Sequence, residues 1–208
     1  MPTPDFDLYL ITDRNQTHER DLLWVLEQAL DGGVRAIQLR EKDLSGQDLF
    51  QLAYKTRDLC ARYDAQLFIN DRVDVALAVD AAGVQLGKAS IPIETARALL
   101  GRHKLIGYSA HSLDETQTAQ QSGTDFILFG PVYFTASKAP YGTPQGVATV
   151  KQIVEKVTVP LYAVGGINLD NIVDVRNAGV RGVAVISAIS SAQNPREAAG
   201  SMISLFQR

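Results

Sequence analysis

Read for polarity alone, the chain repeats one couplet: a short apolar run, a polar stretch, then apolar residues recurring every three or four positions. Apolar runs without alternation mark strands covered on both faces, and the three-to-four period marks a helix with one buried stripe. The first couplet is Leu8 to Thr12 followed by Leu22, Leu23, Leu26, Ala29 and Leu30, closed by Gly32-Gly33. Ala36 to Leu39 precedes a helix from Ser45 to Tyr63. Gln66 to Ile69 precedes a short helix reaching Asp80, and Val84 to Leu86 a helix near Ile93 to Leu100. The second half continues with Leu105 to Tyr108 and a helix from Leu113 to about Gln121, the one with the poorest apolar stripe. Phe126 to Phe129 follows, with the stripe Val147, Val150, Val154 and Val157. Leu161 to Val164 leads to a helix near Leu169 to Ala178, stopped by Gly179, and Val183 to Ile186 leads to a last helix from Pro195 to Phe206.

This pattern predicts an α/β fold of eight strand-helix units. Parallel strands need a crossover each, and eight of them close a sheet, so the expected architecture is a (β/α)8 TIM barrel. Periodicity alone also admits a doubly wound open sheet. The chain lacks a Gly-x-Gly-x-x-Gly after the first strand, which argues against the dinucleotide-binding version. No shift in composition marks a linker, so residues 1–208 read as one barrel domain.

Composition narrows the partners. The chain has 208 residues, 46% apolar and 21% charged, with a net charge of -3. That offers no basic field for nucleic acid, so anion binding must come from local basic groups. No run approaches the about 18 apolar residues of a membrane span, and the N-terminus has neither a basic start nor an apolar segment. A soluble cytoplasmic protein acting on small molecules is the expectation, and barrels of this size commonly associate as homo-oligomers. Cys60 falls on the stripe Leu49, Leu52, Ala53, Thr56, Cys60 and Tyr63, which reads as a buried small hydrophobe rather than a nucleophile.

The chemistry collects at the strand ends, which face one mouth in a barrel. Following the strands in order, these ends carry Arg40 and Lys42; Asn70 and Asp71; Lys88 and Ser90; and Ser109 and His111. They continue with Thr135, Ser137 and Lys138, then Gly165-Gly166, and last Ser187. Such a set suits a polyanion. Arg40 can fork onto phosphate oxygens, Lys42 and Lys138 add point charges, and Asp71 is repulsive unless it holds a divalent cation, for which Mg²⁺ on one carboxylate and a diphosphate fits. Thr135, Ser137 and Lys138 offer two neutral donors and a charge within a long loop whose Tyr133, Phe134 and Tyr141 argue against disorder. Gly165-Gly166 and Ile186-Ser187-Ala188 follow strands seven and eight, where barrels often hold a phosphate on backbone N–H groups. His111 reads as a general acid or base. Each residue also has a plain reading: Arg40 and Glu41 as a surface ion pair, Asp71 as the cap of the third helix, Ser109 as the cap of the fifth, His111 as part of a polar network. His18 and His103 fall in loops with no assigned role, and no spacing points to zinc.

Six motifs then carry a resemblance. They are Gln38-Leu-Arg40-Glu-Lys42, Ile69-Asn70-Asp71-Arg72, Gly107-Tyr-Ser109-Ala-His111-Ser, Phe129-Gly-Pro131 through Thr135-Ala-Ser137-Lys138, Ala163-Val-Gly165-Gly166-Ile, and Val185-Ile186-Ser187-Ala188-Ile189. In order and spacing they resemble the thiamine phosphate synthase and thiazole tautomerase superfamily across essentially the whole chain. The synthase resemblance implies a transferase of thiamine biosynthesis that condenses hydroxymethylpyrimidine diphosphate with thiazole phosphate. Diphosphate would leave first, and the thiazole nitrogen would capture the resulting pyrimidine methyl cation. It implies Gln38 on the pyrimidine; Arg40, Lys42, Asn70, Ser109 and Lys138 on the diphosphate; Asp71 on Mg²⁺; and Thr135, Ser137, Gly166, Ile186 and Ser187 on the thiazole phosphate.

One motif departs. After the fourth strand the synthases carry Gly-Gln-x-Asp, whose aspartate is a second carboxylate on the metal, whereas here Gly87-Lys88-Ala89-Ser90 stands. A hydroxyl is a poor substitute for a carboxylate on Mg²⁺, although Lys88 can neutralise diphosphate directly. The motif is also lost among thiazole tautomerases, in which His111 would move the proton, so the alternatives are a tautomerase acting on carboxythiazole phosphate or a non-catalytic thiamine-precursor-binding regulator.

Overall fold

The structure, a computed structural model, describes residues 3–135 and 143–207. Eight parallel strands close a barrel in chain order: β1 (Leu8–Ile11), β2 (Ala36–Leu39), β3 (Gln66–Asn70), β4 (Gly83–Leu86), β5 (Leu105–Ala110), β6 (Phe126–Phe129), β7 (Leu161–Val164) and β8 (Gly182–Val185). Closure is made by β1 against β8, with Leu8, Tyr9 and Leu10 beside Val183, Ala184 and Val185. That pairing removes the open-sheet alternative. Around the barrel run α1 (Leu22–Asp31), α2 (Gly46–Ala61), α3 (Val73–Ala78), α4 (Ile93–Leu100), α5 (Leu113–Gln121), α6 (Gly146–Val154), α7 (Ile172–Asn177), α8 (Ser187–Ser190) and α9 (Pro195–Gln207). Among the described residues no helix is long and apolar enough to cross a membrane.

Alternation along each strand sorts the apolar residues into two cores. Leu10, Ile37, Ile69, Val84, Ile106, Ile127, Ala163 and Val183 face outward and pack under the helices. Tyr9, Phe68, Phe126 and Tyr162 face inward and join Phe6, just before β1. The Phe6 and Tyr162 rings lie 4.8 Å apart, and Phe68 and Phe126 meet edge to face at 5.4 Å. Tyr162 donates its hydroxyl proton to the Phe6 carbonyl at 2.9 Å, which satisfies the polar end of a buried ring. These rings fill the lower barrel, and the inward positions nearer the strand ends turn polar: Gln38, Gln85, Asn70 and Ser109.

Several boundaries differ from the sequence expectation for physical reasons. β5 runs on to Ala110, past the expected Tyr108, so Ser109 is a wall residue of the barrel rather than a helix cap. Ser112 caps α5 instead, accepting from Glu115 N at 3.1 Å. That cap anchors a helix whose buried side chains are Thr116 and Ala119, the thin stripe that made it hard to read. α7 starts only at Ile172, after a turn in which Asn168 N donates to Asn171 Oδ1 at 2.9 Å, and α8 is too short to show a period. Cys60 is 2% exposed, and burial pushes its thiol up to about 12, as befits a core residue.

The glycines on the inner wall make room for rings. A Cβ at Gly182 would stand 2.6 and 2.7 Å from two carbons of the Tyr162 ring. Gly182→Ala is therefore expected to destabilise the fold by about 1–3 kcal/mol, the usual cost of overpacking. A denaturant-unfolding midpoint unchanged from the parent would contradict this.

Candidate active site

The mouth is assembled first by a network between the loops after β1 and β2. Thr12, fully buried, accepts from Arg40 N at 2.9 Å and donates to Glu41 Oε1 at 2.6 Å. Arg14 donates to Glu41 Oε2 from its backbone N at 3.2 Å and its guanidinium at 3.1 Å, and grips Asp43 with both terminal nitrogens at 2.6 Å each. This fork holds the Asp43 carboxyl below its usual range. Glu41 is thus consumed by Thr12 and Arg14, and its pairing with Arg40 as a surface ion pair is not what forms. Glu41 and Asp43 fasten the stretch down, and Arg40, Glu41 and Lys42 line cavities at the mouth.

Beyond β3, Asp71 adopts φ 61°, a left-handed conformation that Asp tolerates better than most residues. Its backbone carbonyl accepts from Val73 N, but its side chain makes no cap on α3. The carboxylate is instead turned to its neighbours. Oδ2 accepts from Asn70 Nδ2 at 2.7 Å, and Oδ1 accepts from the Ser90 hydroxyl, which itself accepts from Gly87 N at 2.7 Å. Ser90 therefore stands against Asp71, where a second carboxylate would stand for a metal. Lys42, Asn70 and Asp71 share a cavity of about 260 Å³. Among the described residues no three His, Cys, Asp or Glu cluster to cage a metal. With Glu41 engaged by Thr12 and Arg14, the Asp71 carboxylate beside the Ser90 hydroxyl is the donor set left there, and it fits a Mg²⁺ that keeps most of its waters.

A central cavity of about 60 Å³ is lined by Gln38, Arg40, Asn70, Ser109 and His111, together with Ile11, Leu128, Gly165 and Ile186. Gln38 is 1% exposed, and its side chain lies against the buried Tyr9 hydroxyl below. His111 is set by the start of α5, its backbone N donating to Glu115 Oε2 at 2.8 Å, and its Nδ1 donates to the Gly130 carbonyl. The third region, about 320 Å³, brings Thr135 together with Gly165, Gly166, Ile186 and Ser187. Gly165 and Gly166 have φ of 102° and 65°, and a Cβ on either would stand 2.7 Å from the overlying residues Pro131 and Tyr133. Only glycine admits both the turn and that close approach.

The three cavities share walls. Asn70 lines the first and second, and Gly165 and Ile186 line the second and third, so the site runs across the mouth with a charged end of two cations and two carboxylates, a small middle that holds Arg40, and a backbone-rich end. The structure thus brings together Gln38, Arg40, Lys42, Asn70, Asp71, Ser109, His111, Thr135, Gly166, Ile186 and Ser187, while Ser137 and Lys138 lie outside the described residues. Sequence reasoning missed Thr12 and Gln85. Thr12 looked like the end of an apolar run, and Gln85, whose Nε2 donates to Ser109 Oγ at 3.0 Å, sat inside one.

Thr12→Val keeps the shape but strips the hydroxyl, leaving Arg40 N and Glu41 short of a partner. A loss of about 1–3 kcal/mol in stability is expected, as for buried polar groups left unsatisfied. Equilibrium unfolding of the variant beside the parent checks it, and equal stability would show that the network is replaceable by water.

The profile of the thiamine monophosphate synthase family matches residues 8–189. A relative in Geobacter sulfurreducens is 50% identical over 206 residues, covering 99% of this chain and 97% of its own. The thiamine-phosphate synthase of Clostridium novyi is 43% identical over 185 residues, covering 89% of this chain and 91% of its own. Among solved structures, thiamine phosphate pyrophosphorylase from Pyrococcus furiosus superposes with a TM-score of 0.89 at 39% identity, covering 97% of this chain and 96% of that one. With its barrel, its strand-end motifs and these likenesses in agreement over nearly the full length, the chain belongs to the thiamine monophosphate synthase family.

Proposed function

We propose that the chain is a thiamine-phosphate synthase, joining hydroxymethylpyrimidine diphosphate to thiazole phosphate and releasing diphosphate. The observation that carries this reading is one continuous site with Lys42, Asn70 and Asp71 at one end, Arg40 in the middle, and Thr135, Gly166, Ile186 and Ser187 at the other, enough to take up two anionic groups. A condensation of a diphosphate with a monophosphate needs both. A tautomerase acting on carboxythiazole phosphate would leave Arg40 and Asp71 without a task.

In this reaction the bond from the pyrimidine methylene to the diphosphate oxygen breaks with both electrons leaving on oxygen. The lone pair of the thiazole nitrogen then forms the new carbon–nitrogen bond. No proton has to move, so the work of the chain is to bind, align and stabilise charge. Arg40 and Lys42 meet the charge that grows on the departing diphosphate, and Ser109 and Asn70 supply neutral hydrogen bonds. Asp71 would hold Mg²⁺, which supplies further neutralisation of the diphosphate when bound. Gln38, in the wall of the central cavity, would hydrogen-bond a pyrimidine nitrogen. The amides and hydroxyls of the third cavity would hold the monophosphate, with Ser137 added from the adjoining loop, and Lys138 of the same loop would join the diphosphate. His111, with Nδ1 committed to Gly130, shapes the wall between the two ends.

Diphosphate release measured across a Mg²⁺ titration tests the proposal: it is expected only with both substrates and the ion present. Lys138→Ala should lower the rate by about 10²–10³-fold, the scale for losing one group that stabilises developing charge, with thiazole phosphate still bound. Silence at every Mg²⁺ concentration would overturn the synthase reading.

The Ser90 position gives a separate expectation. Because its hydroxyl touches Asp71, Ser90→Asp should place a second carboxylate beside the first and lower the Mg²⁺ needed for half-maximal rate by on the order of tenfold. Titration with Mn²⁺ followed by electron paramagnetic resonance reads the same gain directly. An unchanged affinity would show that residue 90 does not face the ion.

A further inference from the structure

We infer that Gln85 is a positioning residue for the diphosphate end of the site, holding the Ser109 hydroxyl so that its one proton is directed at a diphosphate oxygen. The inference rests on the synthase reading above for the identity of the anion.

Gln85 is the third residue of β4, 1% exposed, and lines none of the three cavities of the mouth. It sits behind Ser109, which does line the central one. Its Nε2 donates to Ser109 Oγ at 3.0 Å, while its Oε1 is buried with no partner among the described residues. A serine hydroxyl carries one proton and two lone pairs. With a lone pair on the buried side engaged by Gln85, the proton is left for the side that faces the cavity, where Arg40 and Asn70 also point. Reversing the amide would let Ser109 donate inward and would orphan a buried NH₂, and buried N–H groups without partners are rarer than under-satisfied carbonyls.

The local backbone makes room for this arrangement. Gly107 pairs with Gln85 across β4 and β5, and a Cβ there would collide with Gln85 Oε1 and with the Phe126 ring. The barrel wall is thinned at this point to admit an amide among rings. As packing alone, the amide is a poor choice: an unpaired buried carbonyl carries a desolvation cost that a thioether of the same length avoids. Stability and diphosphate recognition therefore pull in opposite directions at this residue, and a purely structural role would not separate them.

The experiment is a double-mutant cycle read by calorimetric titration of inorganic diphosphate in excess Mg²⁺, using the parent, Gln85→Met, Ser109→Ala and the double variant. Each single variant is expected to bind diphosphate about tenfold more weakly, the scale of one hydrogen bond to a charged group, and the double variant no more weakly than Ser109→Ala. Gln85→Met should melt at or above the parent and keep its affinity for thiazole phosphate. Parental diphosphate affinity in Gln85→Met, or penalties that add in full, would overturn the inference, as would a parent that binds no diphosphate. Should Gln85→Met not fold, Gln85→Glu serves: its carboxylate draws the serine proton inward, so weakened diphosphate binding supports the inference and parental binding overturns it. Failure of the synthase reading looks different: the parent would bind diphosphate with the coupling intact yet release none from the paired substrates.

Discussion

The constraint on which the rest depends is the filling of the lower barrel by rings. Phe6, Tyr9, Phe68, Phe126 and Tyr162 close the N-terminal end so fully that inward-facing polar groups have one place left, the C-terminal rim. Edge-to-face contacts hold these rings in fixed relative orientations, and each close pair adds about 0.5–1.5 kcal/mol beyond the area it buries. The gain is rigidity as much as stability. Gln38, Gln85 and Asn70 stand on strands that cannot shift without disturbing the rings beneath, so a small set of polar side chains keeps its spacing without a second layer of helices to support it.

On that base the strand alternation reaches the rim. The two-residue period that puts Gln38 inside and Leu39 outside gives way after Arg40 to a turn, in which Glu41 and Asp43 fasten the loop to Arg14 and leave Lys42 exposed at the mouth. Thr12 is the pivot between the two loops, one hydroxyl answering a backbone amide and a carboxylate at once. The like arrangement of Asn70, Asp71 and Ser90 ties the third and fourth loops together. Binding groups on this rim are therefore spaced by hydrogen bonds between neighbouring loops, and their positions are correlated around the mouth.

Much of this was legible in the chain. Eight couplets gave the barrel because apolar period and glycine stops are local signals, and the strand-end residues gave the site because the fold puts every such end on one face. What stayed hidden was long-range or silent in pattern. Ser109 read equally well as a helix cap, since only the continuation of β5 to Ala110 makes it a wall residue. Thr12 and Gln85 carry no motif and sit in apolar runs, so their importance lies in partners 28 and 24 residues away. The helix α5 is legible at Leu113 to Gln121 despite its thin stripe; what the pattern does not show is that it is held at its start by Ser112 and Glu115 rather than by burial along its length.

The segment bearing Ser137 and Lys138 leaves and re-enters the barrel at a narrow neck. Gln145 N donates to the Pro131 carbonyl at 2.8 Å and Gly146 N to the Val132 carbonyl at 3.0 Å, while Val132 N and Tyr133 N are tied to β7 and its loop. The backbone on either side of residues 136–142 is thus fastened both to itself and to β7, which fixes Pro131 and Tyr133 over Gly165 and Gly166 and so sets the ceiling of that part of the mouth.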